Sequence, residues 1–391
     1  MDRISEELQK INQEMIELRR DFHRFPELGM EERETAGKVA AYLSGLGLEV
    51  TTGVGGTGVV ALLKGGRSGP TLLLRADMDA LPITEENEAE YRSTRPGVMH
   101  ACGHDGHVAI LLGAAKILAG LGDEFPGTIK FLFQPGEETF CGAKAVIAAG
   151  VLENPRVDAA LGLHLMSFLP VGFIGCRAGA MMAGVDSFDV IIKGQGGHGA
   201  MPEYSVDAVV IAAQAITALQ TAVSRETPAM SPLVVHVGTI KGGTARNIVA
   251  DRVELSGTVR TLDDGLRKSM PERIERILAG TAQAMRGECR LDYIFENPPL
   301  VNDADLTELV KMTAGKALGY DKVINIPPTM GGEDMAFYLE KAPGCFFFVG
   351  AGSGDKGLDK PHHNSRFDID EKSLAVGAEV LIRSALAYLT S

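Results

Sequence analysis

The chain has 391 residues, 45% of them hydrophobic and 23% charged, with a formal net charge of −13. That length exceeds what one hydrophobic core usually holds, so two domains are expected, and an acidic balance without any basic stripe excludes nucleic acid as a partner. No apolar run approaches the roughly 20 residues of a membrane span, which excludes a membrane-spanning helix. Five scattered cysteines form no disulfide framework, so a reducing cytoplasm is the expected setting.

The N-terminal stretch MDRISEELQKINQEM reads as a charged amphipathic helix and lacks the apolar centre of an export signal. Residues 31–47 have a helical pattern, GVVALLKG and TLLLRAD read as strands, and VAILLGAAKILAGL reads as a helix. The strand TIKFLFQ, the helix AKAVIAAG and the strand AALGLHL follow. Short apolar strands alternating with helices predict an α/β sheet covered on both faces.

From about residue 184 the order changes. SFDVIIKG is a strand, 205–223 a helix, LVVHVGTIKG and RVELSGTVRT two strands, 266–286 a helix and CRLDYIFE a strand. That β-α-β-β-α-β series is a split βαβ unit able to form a small domain of its own. ENPPLVND is a Pro-rich break, after which helix and strand alternation returns and includes the apolar strand CFFFVG.

GQGGHG, at the end of the SFDVIIKG strand, fits the glycine pattern of a dinucleotide-binding loop. A ribose-binding acid about 20 residues on is missing, because the next strand ends in Lys241-Gly242-Gly243. A second match, GVGGTG at 53–58, is followed by a strand and not by a helix. With 47 glycines in the chain, the pattern alone carries little weight, and the loop is read as serving His198.

Four short stretches at strand ends or in loops carry metal-binding side chains: MHACGHDGH (99–107), QPGEE (134–138), GLHL (162–165) and PHHNSRF (361–367). Cys102 and His104, two apart in a glycine-containing loop, can converge a thiolate and an imidazole on one ion. Asp105 is placed to cap the helix that follows, and His107 reads as structural. In the neighbouring pair Glu137-Glu138, one carboxylate can bind metal while the other serves as general base. His164 is placed at the carboxyl end of an apolar strand, where open α/β sheets hold ligands. Taken singly, each has a plainer reading: an inert thiol, a solvated turn, a hydrogen-bonded core histidine. Their shared position at the ends of elements in one alternating pattern favours chemistry. No H-E-x-x-H and no G-x-S-x-G occurs, which excludes a zincin and a serine hydrolase.

The ordered series RADMDALP, MHACGHDGH, FQPGEE, GLHL, GGHGAMP, NIVAD, GGEDMAFY and HHNSRFDIDE resembles the hippurate hydrolase and N-acyl-amino-acid amidohydrolase branch of the aminoacylase/carboxypeptidase family. That branch includes plant auxin-conjugate hydrolases and N-acetyldiaminopimelate deacetylases. The resemblance covers nearly the whole chain. It implies a zinc-exopeptidase-like, mixed-sheet α/β catalytic domain interrupted by a ferredoxin-like βαββαβ lid and dimerisation domain. It also implies two metal ions per subunit, held by Cys102, His104, Glu138, His164 and His363, with the thiolate able to bridge both. Glu137 matches the general base, and His198 the lid histidine that reaches the scissile carbonyl, often in the partner subunit of a homodimer. Asn247 and Arg260 match lid residues that hold a substrate carboxylate. Asp77 and Asp79 match the acidic stretch near the metals without a ligand role. The C-terminal motif departs from the family in having two histidines and no early proline; alignment through Arg366-Phe367-Asp368 favours His363 over His362.

Because the ligand candidates lie at 102–164 and 363 and the insert holds none, the catalytic domain is expected to be discontinuous, at 1–182 and 295–391, around a lid at 183–294. The expected chemistry is metal-dependent hydrolysis of an N-acyl amino acid, a small-molecule substrate. A dipeptide-cleaving carboxypeptidase, an N-acetyldiaminopimelate deacetylase and a metal-dependent binding protein are the alternatives. Thiolate and imidazole donors favour zinc, and the carboxylates leave manganese or cobalt open.

Overall fold

The computed structural model describes residues 3–391. The chain divides into two compact units: one takes in the residues up to Gly179 together with Val301–Pro327 and Asp334–Ser391, the other Ala180–Leu300 together with Pro328–Glu333. Both are α/β. Among the described residues, no helix is long and apolar enough to cross a membrane.

In chain order, the first unit begins with helices α1 (Arg3–Arg24) and α2 (Arg33–Gly45) and strands β1 (Glu49–Val54), β2 (Gly58–Lys64) and β3 (Arg67–Asp77). Helix α1 runs well beyond the stretch read as amphipathic. Leu8, Ile11, Met15 and Phe22 recur at helical spacing and are buried, and so is Arg19. GVGGTG joins β1 to β2 as the turn of an antiparallel pair, which accounts for its glycines without a nucleotide. Then come α3 (His104–Ala119), β4 (Pro126–Gln134), α4 (Gly142–Ala148), β5 (Ala159–Pro170) and β6 (Ile174–Cys176).

The second unit contains β7 (Gly184–Lys193), α5 (Ala208–Leu219), β8 (Leu233–Gly242), β9 (Arg252–Thr261), α6 (Asp264–Ala284) and β10 (Glu288–Asn297). Its strands form one sheet in the order β8-β9-β7-β10, antiparallel throughout, which is the ferredoxin-like arrangement of a split βαβ unit. Phe188, Val190 and Ile192 alternate along β7 and meet Ile211 and Ala215 of α5 and Ile274 of α6 in a separate core. The chain then returns to the first unit with α7 (Ala304–Leu318), β11 (Val323–Asn325), β12 (Gly344–Gly352) and α8 (Lys372–Leu389).

The large sheet has the order β1-β2-β4-β3-β5-β12-β6-β11. Its centre, β4-β3-β5-β12, is parallel, and antiparallel pairs flank it on both sides. Leu72, Leu73 and Leu74 of β3 and Phe346, Phe347 and Phe348 of β12 are fully buried, as a sheet covered on both faces requires. Because the central strands run the same way, their carboxyl ends share one edge. The segments that follow β3 and β4 therefore start side by side.

Candidate metal centre

Three loops meet at that edge. Helix α3 starts at His104, four residues before its apolar run, because its first turn carries the polar residues His104, Asp105 and His107, all buried. Its N-cap is Gly103, in the left-handed conformation at φ 91°, which glycine adopts without a Cβ clash. Asp105 does not cap. Its carboxylate accepts from Arg19 Nε at 2.7 Å and pairs with His23 Nδ1 at 2.8 Å, because two buried cations at the α1 side leave it no freedom to turn back to the helix end.

The second loop, PGEE, leaves β4 at Gln134 and presents Glu137 and Glu138. Glu138 N–H donates to Asp79 Oδ2 at 2.9 Å, and Asp334 N–H donates to Glu137 Oε1 at 3.4 Å. His164 lies within β5, which continues six residues past it to Pro170. The pairing of β5 with β3 nevertheless stops at Gly162, so one side of the strand is open at the histidine.

Hydrogen bonds assign the imidazole tautomers. His104 Nδ1 donates to the Asp79 carbonyl at 2.9 Å, and its Nε2 is buried without a hydrogen-bond partner. His164 Nδ1 donates to Leu165 O at 2.8 Å, leaving the Nε2 lone pair 3.5 Å from Cys102 Sγ. His363 Nε2 lies 3.2 Å from Glu138 Oε1. His362 instead sends its Nε2 to Leu165 O at 2.9 Å. His107 is used on both sides, accepting from Leu165 N–H at 2.9 Å and donating to Asp77 at 2.6 Å, which makes it a structural residue.

Donor atoms of Cys102, His104 and His164 lie within 4.8 Å of one another, and so do those of Cys102, Glu138 and His363, and of His104, Glu137 and Glu138. Cys102 is common to two of these sets. Burial pushes the Cys102 thiol well up, and Glu138 and Glu137 push it further. Burial also opposes a charge on His104, yet Asp77 and Asp79 outweigh it and hold that imidazole up at about 10. A pocket that disfavours a thiolate and attracts a proton to a nitrogen with no hydrogen-bond partner, 3.7 Å from Asp77 Oδ2, is short of positive charge. A divalent cation satisfies both groups at once by displacing the protons. The orphaned His104 Nε2 and the mix of sulfur, imidazole and carboxylate donors fit such an ion.

In the second unit, His198 is exposed on a two-residue strand paired with Ile248–Val249, and Ala200 N–H donates to its Nδ1 at 3.0 Å. A neutral ring so held carries its proton on the exposed Nε2. Gly199 N–H donates to Asn247 O at 2.9 Å, and a Cβ on Gly199 would lie 3.1 Å from the Asn247 backbone. The glycine there allows two chain segments to touch. Helix α5 begins only at Ala208, capped by Asp207, so GQGGHG does not open a helix as a dinucleotide loop must. The structure thus brings His198 and Asn247 together. Arg260, half-buried on β9, donates to Met330 O at 3.0 Å.

Asp79 lies under His104 and Glu138, and the residues that received no role in the motifs are Arg75, fully buried, and its partners Gln134 and Asp334. RADMDALP and GGEDMAFY contain most of them, and their dense charges inside apolar strands were the available signal.

A candidate metal centre on a mixed α/β sheet is what these loops define. The signature of Peptidase family M20/M25/M40 matches residues 73–387, and the chain belongs to that family. It is similar to the putative amidohydrolase YhaA of Bacillus subtilis, with 41% identity over 388 residues, 98% of this chain and 97% of that one. It is 38% identical to the N-acetylcysteine deacetylase of the same organism over 376 residues, 96% of this chain and 97% of that one. The solved structure of the Bacillus subtilis YXEP protein, described as a dinuclear metal binding peptidase from the M20 family, superposes with a TM-score of 0.86 at 34% identity, covering 97% of this chain and 99% of that one. The protein is a hydrolase acting on amide bonds.

Proposed function

We propose that the chain cleaves the amide bond of N-acyl amino acids, releasing a carboxylic acid and a free amino acid. The observation that carries this reading is the cation-deficient set of buried Cys102, His104, Glu137 and His164 and half-buried Glu138, with exposed His363 beside it. Cys102, His104, Glu138, His164 and His363 would hold two divalent ions, with zinc favoured by the sulfur and imidazole donors over manganese or cobalt. When bound, such ions polarise a carbonyl and acidify water towards a pKa of about 7.

Glu137 is buried and projects from the same loop as Glu138, so it is placed to take a proton from water and to return it to the departing amine. His198, with its proton on an exposed Nε2, is equipped to donate a hydrogen bond to the oxyanion that develops on the carbonyl. Asn247 and Arg260 supply donors for the substrate carboxylate. In this reading the second unit is a lid and dimerisation domain, and the first unit is the catalytic domain of a homodimer.

Assaying N-acetyl and N-benzoyl amino acids against dipeptides of the same residues tests the proposal. The expected result is faster turnover of the acylated amino acids. Faster cleavage of dipeptides would replace it with a carboxypeptidase reading.

A further inference from the structure

Glu32 is fully buried in the segment FPELGMEE, which no motif of the site includes. Its Oε1 accepts from Gly136 N–H at 2.8 Å and from Met30 N–H at 2.9 Å, and its Oε2 accepts from the Thr57 hydroxyl at 2.5 Å. Gly136 immediately precedes Glu137 and Glu138. The contact is therefore from a carboxylate 104 residues away to the backbone of the loop that carries both acids.

The surrounding segment closes on the same loop. A Cβ on Gly29 would lie 3.2 Å from Gly136 Cα and 3.3 Å from Asp79 Oδ2, and a Cβ on Gly136 would lie 2.8 Å from Met30 Sδ. Met30 is held at φ 67°, a costly conformation for a residue with a long side chain. Ala80 N–H donates to Glu27 O at 2.8 Å, which ties the segment to the stretch after β3 that supplies Asp79. Burying a carboxylate and straining Met30 are both unfavourable alone. Their combined effect is a backbone that meets the PGEE loop along one side.

We propose that Glu32 is a positioning residue for hydrolysis: by accepting Gly136 N–H it sets the orientation of the loop and so aims Glu137. This inference rests on the reading of Glu137 as general base. The role needs the reach of the side chain and an acceptor oxygen for the two N–H groups, not its charge. The Gln side chain supplies the same reach and an oxygen for the two N–H groups, and Thr57 can reverse its bond to accept from the amide.

The test is a double-mutant cycle of Glu32→Ala with Glu137→Gln, at saturating metal, with metal affinity measured separately by equilibrium dialysis. Glu32→Ala is expected to lower kcat about ten- to a hundredfold with KM near the wild-type value. It should also weaken metal binding about 10- to 100-fold, because Glu138 shares the loop. In the Glu137→Gln background it should lower the residual rate no further, and Glu32→Gln should keep most of kcat. An equal loss in both backgrounds, or wild-type kcat in Glu32→Ala, would overturn this inference alone. Wild-type turnover in Glu137→Gln overturns the general-base reading first and this inference with it. If Glu32→Ala does not fold, Glu32→Asp takes its place: it keeps the charge, shortens the reach by one methylene and is expected to lose kcat where Glu32→Gln does not.

Discussion

Histidines at the edge of the large sheet and the histidine of the GQGGHG loop differ in which backbone group meets Nδ1. A carbonyl faces Nδ1 of His104 and of His164, so a proton sits there and Nε2 is the nitrogen left to a cation: a lone pair in His164, and in His104 a site whose second proton a metal ion would displace. An N–H faces Nδ1 of His198, so the proton sits on Nε2 and the ring offers a donor. The backbone group at Nδ1 thus sets the role open to Nε2, which can face a cation at the sheet edge and can donate a hydrogen bond in the GQGGHG loop. His23 gives a third case. Carboxylates face both its nitrogens, Asp105 at 2.8 Å and Glu85 at 3.1 Å, and the ring is held as an imidazolium.

The largest effect should come from the lone-pair side. Glu137→Gln is expected to keep its metal and to lose about 10²–10⁴-fold in kcat. Elemental analysis alongside steady-state kinetics checks both halves, and wild-type turnover in the variant would remove Glu137 from the chemistry. On the donor side, His198→Ala should fold, keep its metal and lose about 10²–10³-fold in kcat. Mixing inactive His198→Ala with inactive Glu137→Gln should restore part of the activity, since a mixed dimer holds one site with both residues intact. Exchange of subunits without any return of activity would show that His198 does not act across a dimer.

A smaller effect concerns stability at His23. Burial and Arg19 oppose its charge, but Asp105 and Glu85 outweigh them and raise its pKa from 6.5 to about 9. A raised folded-state value means that the imidazolium stabilises the fold fully below about pH 6.5. That contribution is lost as pH rises through about 9. The Tm of the wild type should therefore fall between pH 7 and 10 more steeply than that of His23→Gln. Parallel slopes in calorimetry would show that His23 is not charged in the fold.

The alternation of apolar strands and helices, and the β-α-β-β-α-β order of the second unit, were legible because burial on two faces or on one leaves different periods. Cys102, His104, Glu137, Glu138, His164 and His363 were legible as a group because each lies in a short motif read at a strand end or in a loop, and the structure gathers their donor atoms. Arg19 and His23 were not. In an amphipathic helix a charge reads as solvated, and only the arrival of Asp105, Asp368 and Glu85 from far along the chain reveals that these two are buried. Glu32 was missed because its partners are two backbone N–H groups and the Thr57 hydroxyl, which no charge pattern records. The start of α3 was read four residues late because its polar first turn faces a polar site and not water.

Metal content tests the central claim most directly, that the sheet-edge cluster is a two-ion centre awaiting positive charge. Protein purified without added metal and loaded with zinc by dialysis, then analysed by plasma emission, should carry about two ions per chain. Cys102→Ala, which removes the sulfur donor and with it a member of two of the ligand sets, should lose most of that metal and the activity with it. A chain that turns over N-acyl amino acids while holding no divalent ion, or a Cys102→Ala variant with unchanged metal content, would contradict the account.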